Sequence, residues 1–219
     1  DRVAASVMDA NDDIYLYIYS DGDWRPFVGE ASNPTGNKRL VVKVSASGQF
    51  IWATELADAT SIPLVSLPAW QNSPHLAALP GGGVRLLVNG KLIDVDSLGN
   101  AIDHASVSLG YDIKRIAVAD DGSTLLAGER RLARLDSAGA EVWAVEFDAD
   151  PQTTWFGRSI TLASNGDILV LGDGYSATLA GNGWFLARYT LDGTETWFNG
   201  YTTGDDMKHN ELGPNALSV

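Results

Sequence analysis

The chain contains no cysteine. That removes disulfide frameworks, thiolate zinc sites, iron–sulfur clusters and thiol nucleophiles in one step. No apolar run approaches the ~20 residues of a membrane-spanning helix. From Asp1 onward there is no basic segment followed by an apolar one, so a signal peptide is expected to be absent or already removed. Positive charge is scarce: 15 Lys and Arg stand against 28 Asp and Glu, a net charge of −13. Nucleic acid and anionic membranes both call for a basic face, so neither is expected as a partner, and membrane insertion is not expected. Helical periodicity is almost missing. GxSxG elbows, HExxH pairs and EF-hand loops are missing too. The glycine-rich stretch 172–183, "GDGYSATLAGNG", joins two strands and lacks the helix that a phosphate loop requires.

What the chain does have is glycine, aromatic rings and repetition. Its 219 residues are 45% hydrophobic and 20% charged, enough for a sizeable core. With 23 Gly, seven Trp and seven Tyr, the composition leans toward an all-β protein rich in turns. A ten-residue pattern occurs four times: "KVSASGQFIW" (43–52), "DVDSLGNAID" (94–103), "RLDSAGAEVW" (134–143) and "RYTLDGTETW" (188–197). Each is a strand, a turn on Gly48, Gly99, Gly139 or Gly193, and the start of another strand. Three copies place tryptophan four residues after the glycine, at Trp52, Trp143 and Trp197; the second has Asp103 there. A basic residue five before the glycine (Lys43, Arg134, Arg188) is likewise replaced in that copy, by Asp94.

Upstream of each copy lies a second shared piece. "IAVADDGSTLLAG" (116–128) and "ITLASNGDILVLG" (160–172) are apolar runs joined by Asp-Gly or Asn-Gly, strong hairpin signals because those turns need positive φ. "LAALPGGGVRLLV" (76–88) and "ASVMDANDDIYLYIY" (5–19) are the looser versions. Each repeat therefore has four antiparallel strands in about 40–50 residues, the size of a propeller blade. The expected blades are approximately 2–56, 76–107, 114–147 and 158–201, in one propeller segment spanning 1–219. Residues 215–219, "NALSV", match the start of a further inner strand, so the chain is expected to be part of a larger propeller, its remaining blades coming from the same polypeptide or a second copy; a four-bladed ring is the alternative.

"GWFLARYTLDGTETW" and "RRLARLDSAGAEVW" resemble the strand–turn–strand of bacterial SBBP and delta-sixty propeller repeats. The glycine-to-tryptophan spacing is similar to the tryptophan-docking motif of quinoprotein-like (PQQ-like) propellers. The resemblance covers all four units, rests on short motifs, and implies fold rather than chemistry. A ring at a fixed place in most blades fills the wedge between neighbouring sheets, so Trp52, Trp143 and Trp197 are expected to be structural docking residues.

The function lies elsewhere. His75, His104 and His209 are far apart and are read as solvated loop residues. Asp12/Asp13 and Asp120/Asp121 fall in turns, where Asp caps backbone amides. Asp205 and Asp206, in a longer loop, are a weak calcium candidate; no other metal, no cofactor and no catalytic residue is expected. Nearly all long connections fall at one end of the blades: 20–38, 57–75, 148–158, 173–183 and 199–214. Elaborated rims on rigid scaffolds concentrate function. Trp24, Trp70, Trp155 and Tyr175 lie in those loops and are the expected ligand-binding residues, with packing at the blade ends as the competing role. Aromatic rings beside carboxylates and amides suit a glycan or a protein. The expected function is a binding or scaffold module, extracellular, on the cell surface or in the periplasm. The rival is a glycan lyase or hydrolase on the same scaffold, and a quinone-dependent dehydrogenase is a weaker third.

Overall fold

The computed structural model describes residues 2–20, 38–56, 75–88, 90–107, 113–147, 153–176 and 181–202. All of this is strand and tight turn. Sixteen strands form four antiparallel sheets of four, each in simple up-and-down order. The first sheet is β1 (Arg2–Met8), β2 (Ile14–Ser20), β3 (Lys38–Val44) and β4 (Phe50–Glu55). The second is β5 (His75–Ala78), β6 (Val84–Val88), β7 (Lys91–Val95) and β8 (Ala101–Ser106). The third is β9 (Ile113–Val118), β10 (Thr124–Gly128), β11 (Arg131–Leu135) and β12 (Glu141–Glu146). The fourth is β13 (Thr154–Leu162), β14 (Ile168–Ser176), β15 (Gly181–Tyr189) and β16 (Glu195–Thr202). This all-β architecture of four-stranded antiparallel blades is the expected fold class. Residues 215–219 lie outside the described residues.

The ten-residue repeat sets the local geometry of each sheet's outer hairpin. Gly193 sits at φ +89°, and the turn around it is closed by Thr190 N–H to Thr194 O at 2.9 Å and Gly193 N–H to Thr190 O at 3.0 Å. Only glycine takes that φ without a steric penalty. Just past the turn, three sheets carry a bulge. Lys43 pairs with Trp52, Arg134 with Trp143 and Arg188 with Trp197, while Ile51, Val142 and Thr196 are left without a partner. A bulge re-aims the following side chain. It also explains why Ile51 and Val142 are solvent-exposed apolar residues. The second sheet omits this bulge: Asp94 pairs with Ile102, and the register shifts later, between Lys91 and Ile93.

The chain divides into two compact units, 1–107 and 108–219. In the first, Tyr15, Tyr17 and Val41 pack on Val84, Leu86, Ile93 and Val95 of the second sheet. The Tyr15 hydroxyl accepts Gly83 N–H at 3.0 Å and donates to Asp9 at 3.1 Å, so this buried phenol is satisfied and bridges two sheets. In the second unit, Leu125, Ala127 and Leu132 pack on Ile168, Val170, Phe185, Ala187 and Tyr189. Each such side chain contributes about 1.5–3 kcal/mol by leaving water. First strands lie nearest the neighbouring sheet, β1 beside β5 and β13 beside β9 and β10.

Candidate functional site

The three docking tryptophans have different surroundings. Trp52 donates its indole N–H to Ser97 O at 3.0 Å, and its ring lies where a side chain on Gly99 would stand. Trp143 repeats this in the second unit, with Leu191 O at 3.2 Å and Gly193 under the ring. The turn glycine of one blade is thus the seat for the tryptophan of the blade before it. Arg134, paired opposite Trp143, donates to the same Leu191 carbonyl at 3.0 Å while also holding Asp121 and Ser123. Trp197 is half-buried beside Arg188, whose guanidinium binds Asp167 at 2.7 Å.

The rim residues separate. Trp24, Trp70, Asp205, Asp206 and His209 lie outside the described residues. Trp155 is not an exposed anchor: it is 2% exposed, in the core with Phe185 and Phe198. The correction has a simple cause. The stretch read as a loop to residue 158 is already strand from Thr154, and strand alternation turns Trp155 inward while Phe156 faces out. His104 is also corrected. It lies on β8 with Nε2 2.8 Å from Asp94, which holds buried Arg85 by two bonds of 2.7 Å. His75 begins β5. Tyr175 is 47% exposed, at the end of β14.

Tyr175 belongs to a site that the structure assembles on the fourth sheet. β14 and β15 run nine residues each, against five for β10 and β11, so their hairpin is longer, with Trp155 of β13 packed under it opposite Gly174. Glycine permits the close approach: a side chain on Gly172 would stand 2.1 Å from the Phe185 ring. On the added length, Asp173 pairs with Trp184, Trp184 with Tyr201, and Tyr175 with Asn182. Paired residues share a face, so Tyr175, Trp184, Tyr201, Asp173 and Asn182 lie together, with Asn199 two residues before Tyr201. Trp184 and Tyr201 stack at 4.1 Å with 19° between planes, and Tyr201 is 45% exposed.

Charge enters from β13. Arg158 occupies a bulge between Gly157 and Ser159 and donates Nε–H to Asp173 at 2.7 Å, with its guanidinium 5.1 Å above the Phe156 ring. Asp173 is buried, and this pairing keeps its carboxylate satisfied. Arg115 on β9 lies close enough to Arg158 to feel its charge; burial first, then that charge, hold Arg115 below the usual arginine value. Among the described residues no group of three His, Cys, Asp or Glu is placed to hold a metal ion. The face offers stacking area, amide and carboxylate hydrogen bonding, and cations at one side. Sequence reasoning missed Trp184 and Tyr201 because both flank the repeat. The adjacent pair Trp184–Phe185 was the usable signal, since a strand turns only one of two neighbours inward.

No protein-family model matches the chain, and no curated protein matches it. Solved structures do. One is a protein of unknown function from Bacteroides caccae, with TM-score 0.56 and 12% identity over 90% of this chain and 66% of that one. A streptogramin B lyase gives TM-score 0.46 and 12% identity over 90% of this chain and 67% of the lyase. A quinonprotein alcohol dehydrogenase-like protein from Bacteroides thetaiotaomicron gives 0.47 and 11%, over 90% and 45%. The likeness to the Bacteroides caccae protein is one of fold. The chain spans about two thirds of the first two and less than half of the third.

Proposed function

We propose that the chain is a β-propeller recognition module of the SBBP and PQQ-like repeat group, secreted or displayed at the cell surface, that binds a glycan through the Trp184–Tyr201 face of the fourth sheet. The observation that carries this reading is the Trp184–Tyr201 stack, flanked on the same face by Tyr175, Asp173 and Asn182. Tyr175 and Tyr201 are exposed, and flat aromatic surface framed by a few oriented polar groups is the make-up of a small-ligand site. Sugar rings match it, with apolar C–H faces for stacking and hydroxyls for amides and carboxylates. The face is built on strands, which hold its geometry.

A glycan array with wild type beside Trp184→Ala and Tyr201→Ala tests the reading. Binding to one class of glycan, lost in both variants, supports it. Capture of a protein in place of any glycan, or binding indifferent to both substitutions, overturns it. Slow cleavage of the bound glycan would move the function to the enzyme reading on the same face.

A further inference from the structure

We infer that the fourth sheet docks on the first sheet of a second copy of this chain, with Trp197 of one copy seated on Gly48 of the other. The inference goes beyond the glycan reading and does not depend on it.

The chain shows the same lock twice. Trp52 lies against Gly99 and donates to Ser97 O at 3.0 Å, and Trp143 lies against Gly193 and donates to Leu191 O at 3.2 Å. In both, the acceptor stands two residues before the glycine, in a turn closed by the same pair of backbone hydrogen bonds. Trp197 is the third such ring. It follows the same bulge as Trp143, and its paired Arg188 is held by Asp167 as Arg134 is held by Asp121. Its indole N–H nevertheless has no hydrogen-bond partner among the described residues.

The matching seat is in the first sheet. Its turn is closed by Ser45 N–H to Gln49 O and Gly48 N–H to Ser45 O, both 2.8 Å, with Gly48 at φ +80°. Apart from chain neighbours, no described residue comes within 4 Å of where a side chain on Gly48 would start. Gly48 is exposed, whereas Gly99 and Gly193 are half-buried under their rings. Ala46, two residues before it and also exposed, supplies the carbonyl. Among the described residues, one chain thus carries a ring lacking its seat and a seat lacking its ring. Those are the two halves of a head-to-tail contact between copies.

The surface around Trp197 agrees. Ala127 and Leu132 of the third sheet are buried against the fourth, while their counterparts Leu171 and Leu186 are only half-buried. Four residues after Trp52 and Trp143 come Leu56 and Phe147, both buried in the cores formed with the following sheets. Tyr201 holds that place after Trp197 and is exposed. A copy seated on Trp197 covers Tyr201 too, so copy and glycan compete there and each weakens the other.

The test is sedimentation velocity of the full chain at physiological ionic strength, which screens the −13 charge on each copy. Without glycan, wild type should pass from monomer to dimer or larger as concentration rises. Trp197→Ala should weaken this about tenfold or more, as for a buried tryptophan anchor. Gly48→Asn should do the same by filling the seat, because asparagine accepts positive φ. Both variants should keep the wild-type fold, since neither position carries a contact between sheets among the described residues. Mixing the two variants should restore the dimer, because one brings the ring and the other the seat. Wild type that stays monomeric throughout, association indifferent to Trp197→Ala, or a mixture no more associated than its parts overturns the inference. Each of these leaves the glycan reading standing, because glycan is absent from the experiment. Glycan added afterwards should dissolve the assembly; if it binds and the assembly persists, only the shared use of Tyr201 is overturned.

Discussion

Trp143 donates its indole N–H to the carbonyl of Leu191, 3.2 Å away in the next blade's turn, and lays its ring against Gly193. The glycine therefore has two jobs, to take φ +89° and to leave room for the ring. Arg134 reaches the same carbonyl at 3.0 Å, so the basic residue and the tryptophan of the repeat act on one acceptor. Trp143→Ala should cost about 2–4 kcal/mol, from lost burial and a lost hydrogen bond. Gly193→Ala should also destabilise, because its methyl would stand 2.9 Å from the ring. Denaturant titration of both single variants and the double variant checks the pairing. The double should cost less than the sum, since the clash disappears with the ring.

Trp155 gives the opposite result to an exposed anchor. Truncation to alanine should cost about 3–5 kcal/mol. Its indole nitrogen is buried without a hydrogen-bond partner among the described residues. Trp155→Phe should therefore cost far less than Trp155→Ala, because it removes that unsatisfied donor along with some contact area. Equal losses in thermal melts would contradict the core placement.

The second blade exchanges the repeat's usual residues for an ionic cluster. Where the third blade has Leu125 opposite Arg134, the second has Arg85 opposite Asp94, and the displaced bulge accompanies His104 at Asp94. Asp94→Ala should cost about 3–5 kcal/mol by stripping buried Arg85 of its carboxylate. The exchange Arg85→Leu with Asp94→Arg restores the pattern of the third blade and should recover much of that loss in urea titrations.

Much of this was legible in the chain and some was not. The turn glycines, hairpin signals and strand alternation are local, and they pointed to four-stranded blades. The seat of the tryptophan was not readable, because Trp143 and Leu191 are far apart in sequence and meet only across blades. The boundary explains Trp155: β13 already begins at Thr154, and the glycine of "TTWFG", Gly157, reads as loop although it lies inside the strand. Asp94 departs from the repeat's basic residue because it pairs with Arg85 on the neighbouring strand, a partner that the ten-residue pattern does not include. The aromatic face escaped because it needs a register, Trp184 with Tyr201, across a hairpin whose length the repeat does not specify.

Turn carboxylates make stability fall in acid. The Asp121 carboxyl accepts bonds from Ser123 and faces Arg134, and Asp167 accepts bonds from Asn165 and Arg188; both are held below the usual 3.8. The unfolded chain then binds more protons than the folded one in mild acid. The stability they confer is complete above the unfolded value, 3.8, and is lost as pH falls through the lowered folded values. Melting temperature should be flat from about pH 7 to 5 and drop below about pH 4. Asp121→Asn with Asp167→Asn should lower the plateau and flatten the drop.

The central claim is that the Trp184–Tyr201 face binds ligand and does not hold the fold together. Its most direct test is a paired measurement on Tyr201→Ala: affinity for the array-selected glycan by calorimetry, and melting temperature of the free protein. The account predicts binding weakened by about 1–3 kcal/mol with the melting temperature nearly unchanged. A lowered melting temperature with full affinity retained would contradict it.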